Sequence, residues 1–131
     1  STIRFDKNGK MFVLIRRELD DKMGVWAESK APYTEWSFKT LDFRLGGPNF
    51  IFLHNRKVLI GSRVYNPSEH TGLYIGNKKG AFKEIIRLPS GKDNSYPGMV
   101  LEKDKVILSY YSTHEGKTSI YIAVIPLKNL H

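Results

Sequence analysis

Three features of this 131-residue sequence predict an all-β fold. No stretch of 11 or more residues repeats apolar side chains at the i, i+3, i+4 spacing of a helix. Glycine and proline interrupt the chain at regular intervals, and short apolar runs alternate with polar turns. The length suits one domain with a modest core. We therefore expect a single unit, residues 1–131, that is built from short strands.

The first two strands are predicted by residues 3–15, where two apolar runs flank a polar turn with an Asn-Gly pair. The same arrangement recurs at residues 49–61 and 97–109. The lysines that open the second strand of each segment are Lys10, Lys57 and Lys105. Their spacings of 47 and 48 residues are typical of a β-propeller, which repeats one blade at about this length.

Each unit continues with a third short apolar strand that has an aromatic residue at its centre. These residues are Trp26, Tyr74 and Tyr121. Aromatic rings can stack on sugars, but packing between neighbouring blades is the favoured interpretation. A fourth strand is predicted in the first two units, near residues 37–41 and 82–88.

Because four strands fill a blade, the sequence predicts about three four-stranded blades of a partial β-propeller. Their approximate limits are residues 1–46, 47–94 and 95–131. A sandwich or closed barrel of about ten to twelve strands is the alternative, but neither explains the repeat. Propellers close with about four to eight blades, so three blades need partners. Those partners are either the remaining blades of a longer protein or a second copy that completes a six-bladed ring.

The composition narrows the range of partners. A net charge of +8 favours an anionic ligand such as an acidic sugar. The basic residues are scattered, so a nucleic-acid partner is not expected, and no apolar window is long enough to predict a membrane partner. We expect no metal and no cofactor, because the chain lacks cysteine and its histidines are isolated in the sequence. These histidines are His54, His70, His114 and His131.

Four segments carry a family resemblance: Tyr-Thr-Glu-Trp at 33–36, Gly-Gly-Pro-Asn-Phe at 46–50, Ser-Tyr-Pro-Gly at 95–98, and residues 109–121. Together they resemble the C-terminal half of sialidase-like, six-bladed propellers of the exo-α-sialidase or BNR type. Such proteins carry Asp boxes, Ser-x-Asp-x-Gly-x-Thr-Trp, between the third and fourth strands. Residues 29–36 keep only the terminal Ser and Trp of a box. The resemblance suggests a secreted or periplasmic location.

The resemblance implies a glycoside hydrolase that acts on acidic or other glycans at the mouth of the propeller channel. In such enzymes three arginines hold a substrate carboxylate, a tyrosine paired with a glutamate is the nucleophile, and an aspartate is the acid/base. A tyrosine avoids the repulsion between an anionic sugar and a carboxylate nucleophile. The expected catalytic residues are Tyr96, Glu18 and Glu115. Three blades alone are expected to be inactive.

The repeat itself aligns Arg16, Arg63 and Tyr111 just past the second strand of each unit, where the chain leaves the sheet. Strand-end loops converge on a propeller axis, so we expect these side chains to surround one ligand. Arg16 and Arg17 take opposite faces if strand alternation continues, and an ion pair with Glu18 or with Asp20 is the alternative role for Arg17. The expected substrate-binding residues are Arg16, Arg17, Arg63, Tyr110, Tyr111 and His114.

Purely structural roles are the alternative at several of these positions. Tyr96 precedes a proline, which restricts it to extended backbone geometry with or without a chemical role. His114 and Glu115 also fit an ordinary polar hairpin. A non-catalytic propeller that binds glycans or proteins is the second functional hypothesis, since a fold alone does not fix a function.

Overall fold

The computed structural model describes all residues 1–131 and contains eleven strands, one 3₁₀ helix and no α-helix, which confirms the all-β class. It has no helix with the length and apolar character of a membrane span. The strands form three antiparallel sheets. The first sheet comprises β1 (Thr2–Phe5), β2 (Met11–Ile15), β3 (Met23–Ser29) and β4 (Ser37–Arg44). The second comprises β5 (Asn49–Phe52), β6 (Lys57–Val64), β7 (His70–Asn77) and β8 (Phe82–Arg87). The third comprises β9 (Asn94–Glu102), β10 (Lys105–Ser112) and β11 (Ser119–Pro126).

Within each sheet the strands follow one another in chain order, so every connection is a hairpin. The first strands of successive sheets lie side by side, because β1 contacts β5 and β5 contacts β9. The third sheet has three strands, which corrects the prediction of four in every unit. After β11 the chain enters the 3₁₀ helix Leu127–Asn129, where the Leu127 N–H donates to the Asp104 carbonyl at 2.8 Å.

Strand alternation divides the core into two layers on either side of the second sheet. In β6, Val58 and Ile60 pack toward the first sheet, whereas Leu59 packs toward the third. All three side chains are fully buried. Because β6 is covered on both faces, its sequence is a continuous apolar run without polar alternation.

The predicted packing role is confirmed for two of the three aligned aromatic residues. Trp26 is buried, and its ring lies 5.0 Å from that of Phe50 in the second sheet. Tyr74 of the second sheet stacks on Phe43 of the first at 4.0 Å. Tyr121 instead packs within the third sheet region and is only half-buried. Trp26 and Tyr74 are therefore core residues and offer no platform for a sugar.

The outer faces of the first and third sheets expose apolar side chains. On the first sheet one cross-strand row runs Ile3, Val13, Ala27 and Phe38. Its end residues Ile3 and Phe38 are 57% and 67% exposed, whereas Ala27 between them is buried. On the third sheet the exposed apolar residues are Val100, Ile120, Ile122 and Val124. We call these the two open faces. Contiguous apolar surface of this kind is typical of a covered interface.

Asp6 fastens the turn between β1 and β2 to the second sheet. Its carboxylate accepts hydrogen bonds from the backbone N–H groups of Asn8 and Lys10 and from Lys78 Nζ at 3.1 Å. Burial alone would raise the pKa of Asp6, but these hydrogen bonds outweigh it, so the pKa lies below its ordinary value. The ionised form is therefore favoured by folding.

We expect Asp6→Asn to lower the free energy of unfolding at pH 7 by about 1–2 kcal/mol, because it removes a buried charge-assisted contact. Since the pKa is lowered on folding, the stabilisation is fully present above the unfolded pKa near about 4 and is lost as the pH falls through the folded value. Urea unfolding at several pH values should show the variant and the parent converging in acid. Asp104→Asn, an exposed aspartate in the β9–β10 turn, is the control and should have no such effect. A gap between parent and Asp6→Asn that persists unchanged in acid would contradict this assignment.

Candidate functional site

The candidate site lies on the strand-end face, which is formed by the ends of β2, β6 and β10 and the start of β9. Arg63 lies one residue before the end of β6, and Tyr111 lies one residue before the end of β10. This corrects the expectation that both follow the strand, because β6 and β10 are longer than predicted, and only Arg16 follows its strand. Asp93 and Tyr96 flank the start of β9. We call these four residues the Arg63 cluster. The structure thus brings together three residues predicted from sequence, Arg63, Tyr96 and Tyr111, and adds Asp93.

Arg63 is the centre of this cluster. Its Nε donates to the Asn94 carbonyl at 2.7 Å, and its Nη2 donates to Asp93 Oδ1 at 3.0 Å and to Tyr111 Oη at 3.2 Å. Its Nη1 makes no hydrogen bond, so part of the guanidinium keeps its donors free. The side chain is 16% exposed. This arrangement fixes the guanidinium in the plane where a carboxylate can approach it.

Tyr111 is held as a neutral hydrogen-bond donor. Its hydroxyl donates to Asp93 Oδ1 at 2.6 Å. Burial and this bond to a carboxylate raise the pKa of Tyr111, and the neighbouring Arg63 offsets only part of the effect. The phenol therefore remains protonated at neutral pH.

Tyr96 projects from a bulge in β9. Ser95 pairs with Tyr111 and Gly98 pairs with Ser109, so the register shifts between these two pairs. Ser95 has φ 139° and Tyr96 has φ 51°. This corrects the expectation of extended geometry before the proline: the bulge, anchored on both sides by strand pairing, holds the residue in the left-handed region.

A buried hydrogen bond to the loop between β4 and β5 stabilises the bulge. The Ser95 hydroxyl donates to the Gly46 carbonyl at 2.6 Å, and Ser95 is fully buried. Gly47, with φ 54°, lies against the Tyr96 ring, and a Cβ there would stand 3.1 Å from two ring atoms. The Tyr96 ring is 64% exposed and stacks on Tyr111 with 6.0 Å between ring centroids. Strained backbone held by its surroundings is often found at functional sites.

A second group, which we call the Arg16 group, consists of Arg16, Glu18, Arg44 and Tyr65. Arg16 Nε donates to Glu18 Oε1 at 2.5 Å, and Arg44 Nη2 lies 3.8 Å from Glu18 Oε2. The bond to Glu18 raises the pKa of Arg16, and Tyr65 and Tyr96 lie close enough to add to this effect. The same bond lowers the pKa of the exposed Glu18.

Tyr65 links this group to the loop between β4 and β5, residues 45–48, which contacts the Arg63 cluster. The guanidinium of Arg44 covers its ring at 3.9 Å, and its hydroxyl lies over Gly46. Tyr65 Oη and Arg44 Nε are buried without a hydrogen-bond partner. Buried polar atoms usually have partners, so this pair marks a place where the chain leaves hydrogen-bonding capacity unused.

Two expected binding residues lie elsewhere. Tyr110 is 5% exposed, and its hydroxyl donates to the Pro89 carbonyl at 2.8 Å. Strand alternation turns it into the core when Tyr111 faces outward, which corrects its assignment to a ligand surface. Arg17 pairs with Asp20 at 3.3 Å and Asp21 at 2.9 Å, as its ion-pair alternative predicted. Arg16 is thus the arginine that turns toward the candidate site.

His114 and Glu115 form a separate group at the turn between β10 and β11. His114 Nδ1 lies 2.7 Å from the Ser112 hydroxyl, and the Tyr121 hydroxyl donates to Glu115. This hydrogen bond raises the pKa of Tyr121. Neither Glu115 nor Glu18 forms a hydrogen bond with the Tyr96 hydroxyl. The tyrosine–glutamate pair expected from the family resemblance is therefore not assembled by these residues.

The eroded Asp box forms the turn between β3 and β4, as predicted. The Ser29 hydroxyl donates to the Glu35 carbonyl at 2.6 Å, and Trp36 Nε1 donates to the Tyr33 carbonyl at 3.2 Å. A cavity of about 570 Å³ lies beside this turn, at the opposite ends of the strands from the Arg63 cluster. The box therefore closes a structural turn and contributes nothing to the candidate site.

Three residues of the strand-end face were not predicted: Asp93, Arg44 and Tyr65. The repeat that aligns Arg16 with Arg63 also aligns Glu18 with Tyr65, and this signal could have found Tyr65. Asp93 has no such signal, because it belongs to the turn that enters β9. No group of three or more His, Cys, Asp or Glu side chains is placed to bind a metal ion.

No protein-family model matches the chain, and no curated protein matches it significantly. A crystal structure of a protein of unknown function from Dyadobacter fermentans DSM 18053 is similar, with a TM-score of 0.80 and 19% sequence identity. The similarity covers 95% of this chain and 36% of that chain. At this identity the likeness concerns the fold alone. The chain therefore spans about a third of the length of the structure that it resembles.

Proposed function

We propose that the three sheets are consecutive blades of a β-propeller. The strands of each sheet run in chain order away from β1, β5 and β9, which lie side by side as the innermost strands of blades do. The two open faces support this arrangement, because a blade at each end of an incomplete ring presents one apolar face to its missing neighbour.

We propose further that the propeller belongs to a sialidase-like glycoside hydrolase and that the strand-end face receives an anionic glycan. The observation that carries this proposal is the Arg63 cluster: a fixed guanidinium with free donors beside an exposed tyrosine on a strained bulge. Arg63 pairs with Asp93 and Arg16 pairs with Glu18, and each guanidinium keeps further N–H donors for a substrate carboxylate. The stacked rings of Tyr96 and Tyr111 supply an apolar surface for a sugar ring.

In this proposal Tyr96 is the nucleophile and Arg63 and Arg16 orient the substrate carboxylate. A phenol attacks efficiently only when a base removes its proton, and no carboxylate of this chain contacts the Tyr96 hydroxyl. The base and the general acid are therefore assigned to other blades, which come from the remainder of a longer protein or from a second copy. The 131 residues alone are expected to be inactive.

A non-catalytic glycan-binding propeller is the second candidate. It is favoured by one observation, the absence of a carboxylate partner for Tyr96. In this case Arg63, Tyr96 and Tyr111 bind the glycan without cleaving it.

Tyr96→Phe in the complete protein tests the proposal. We expect hydrolysis of a fluorogenic acidic-sugar glycoside to fall by about 10³-fold, because the nucleophilic oxygen is lost, while glycan affinity changes by less than about threefold. Tyr33→Phe, at the opposite ends of the strands, is the control and should keep full activity. Undiminished cleavage by Tyr96→Phe would refute the nucleophile. Glycan binding without any cleavage by the parent protein would establish the second candidate.

A further inference from the structure

A cleft of about 440 Å³ lies between the first two sheets, at the opposite ends of the strands from the Arg63 cluster. It is enclosed by the β1–β2 turn, the β5–β6 turn and the first residue of the β7–β8 turn. Its polar lining includes Lys7, His54, Arg56, Lys57 and Lys78. The volume is that of a typical small-molecule site.

The cleft carries positive charge that the chain does not neutralise. Lys7, Arg56 and Lys57 form no ion pair, and Arg56 and Lys7 are exposed. The carboxylate in the lining is Asp6, which is only 7% exposed and already bound to Lys78. Uncompensated cations grouped around a concave surface attract anions.

The turn that contains Arg56 has a strained backbone, which destabilises the fold. Asn55 and Arg56 have φ 59° and 63°, so both central residues of the turn from His54 to Lys57 lie in the left-handed region. The Lys57 N–H closes this turn on the His54 carbonyl at 3.4 Å. This turn type strongly prefers Asn-Gly, and glycine is the residue that takes the second position without strain. The Arg56 side chain is exposed and forms no ion pair with a carboxylate. The strain and the charge are independent observations that point to the same cleft.

We infer that this cleft binds the oxyanion groups of a polyanionic polysaccharide, such as a sulfated or uronic-acid polymer. The planar guanidinium of Arg56 and the ammonium groups of Lys7 and Lys57 match sulfate or carboxylate oxygens. The inference shares no residue with the proposed glycan site on the strand-end face and stands without it.

The lining disfavours a nucleic acid. Single-stranded nucleic acids bind through bases that stack on free aromatic rings. Of the two rings in the lining, that of Phe52 is packed, because Lys78 Nζ lies 5.2 Å from its centroid and the rings of Phe12 and Phe50 pack edge-on against it. The ring of Phe5 is 52% exposed and contacts Tyr33 edge-on, so the cleft offers one free ring and no row of rings for successive bases. A duplex needs an extended array of cations along its phosphates, whereas this cluster is confined to one cleft.

Arg56→Gly separates the ligand role from the structural role. We expect its melting temperature to rise by about 2–6 °C, because glycine relieves the left-handed backbone. We expect its affinity for heparin at about 0.1 M salt to fall by about tenfold, since one oxyanion contact is lost. Lys103→Gly is the matched control: Lys103 has φ 55° in the β9–β10 turn, at the same ends of the strands but outside the cleft. It should gain stability and keep its heparin affinity within about twofold.

Isothermal titration calorimetry of the chain and both variants tests whether the cleft binds a polyanionic polysaccharide. The titrants are heparin and a single-stranded oligonucleotide of matched charge. Heparin binding that Arg56→Gly weakens and Lys103→Gly does not supports the cleft. Equal losses in both variants, or none, would show unspecific charge attraction and overturn it. Oligonucleotide binding as tight as heparin binding, with the same dependence on Arg56, would reassign the cleft to nucleic acid. Arg63→Gln, which removes the guanidinium at the centre of the strand-end face, should leave heparin binding unchanged, so failure here is distinct from failure at the strand-end face.

Discussion

Trp26→Ala is expected to lower the free energy of unfolding by about 3–5 kcal/mol, which is a large part of the stability of a domain of this size. Trp26 is 3% exposed and joins the first two sheets. Its ring lies within 5.4 Å of those of Phe12, Phe50 and Phe82. Its Nε1 donates to the Lys78 carbonyl at 2.9 Å. The alanine leaves a cavity and an unsatisfied carbonyl, and urea unfolding followed by circular dichroism measures the loss.

Trp26→Phe is the control for this experiment. It keeps most of the apolar contact and loses mainly the hydrogen bond, so we expect a smaller loss of about 1–2 kcal/mol. A loss below about 1 kcal/mol for Trp26→Ala would mean that the two sheets do not pack through this residue, and the arrangement described above would be wrong.

Ile122→Lys is expected to affect stability differently in the isolated 131 residues and in the complete protein. In the isolated 131 residues it lies on an open face at 65% exposure, so stability should change little and self-association should decrease. In the complete protein, where we propose that another sheet covers this face, the lysine would be buried without a charge partner. The free energy of unfolding of the complete protein should then fall by about 3 kcal/mol or more.

Leu19→Lys provides the matched control, because Leu19 is 78% exposed in a loop outside both open faces. It should be neutral in both settings. Denaturant unfolding and light scattering of the two variants supply the readouts. Equal, small effects of Ile122→Lys on the free energy of unfolding in the isolated chain and in the complete protein would argue against a covering sheet.

The sequence repeat predicted most of the strands, because hairpin strands and their alternation are local properties of the chain. The spacing of Lys10, Lys57 and Lys105 located the second strand of each sheet, and each of these strands begins within one residue of its lysine. A fourth strand was located in the first two units only, and the general expectation of four-stranded sheets was wrong for the third unit, because the residues after β11 form a short 3₁₀ helix.

The candidate site could be predicted only in part. The repeat placed Arg63 and Tyr111 at equivalent strand ends, and the structure joins them by a hydrogen bond. The assignment of Tyr110 failed because alternation allows only one of two successive tyrosines to face outward. The bulge at Tyr96 and the bond from Arg63 to Asp93 depend on contacts between sheets, and a single sequence contains no signal for those contacts.

Hydroxyl-radical footprinting of the native material tests the central claim, that the two open faces are blade interfaces, most directly. We predict weak labelling of Phe38 and Ile122, because neighbouring blades cover them, and strong labelling of Leu19 in the same sample. In the isolated 131 residues all three side chains should be labelled strongly, since their exposures are 67%, 65% and 78%. Labelling of Phe38 and Ile122 in the native material that equals labelling of Leu19 would contradict the account.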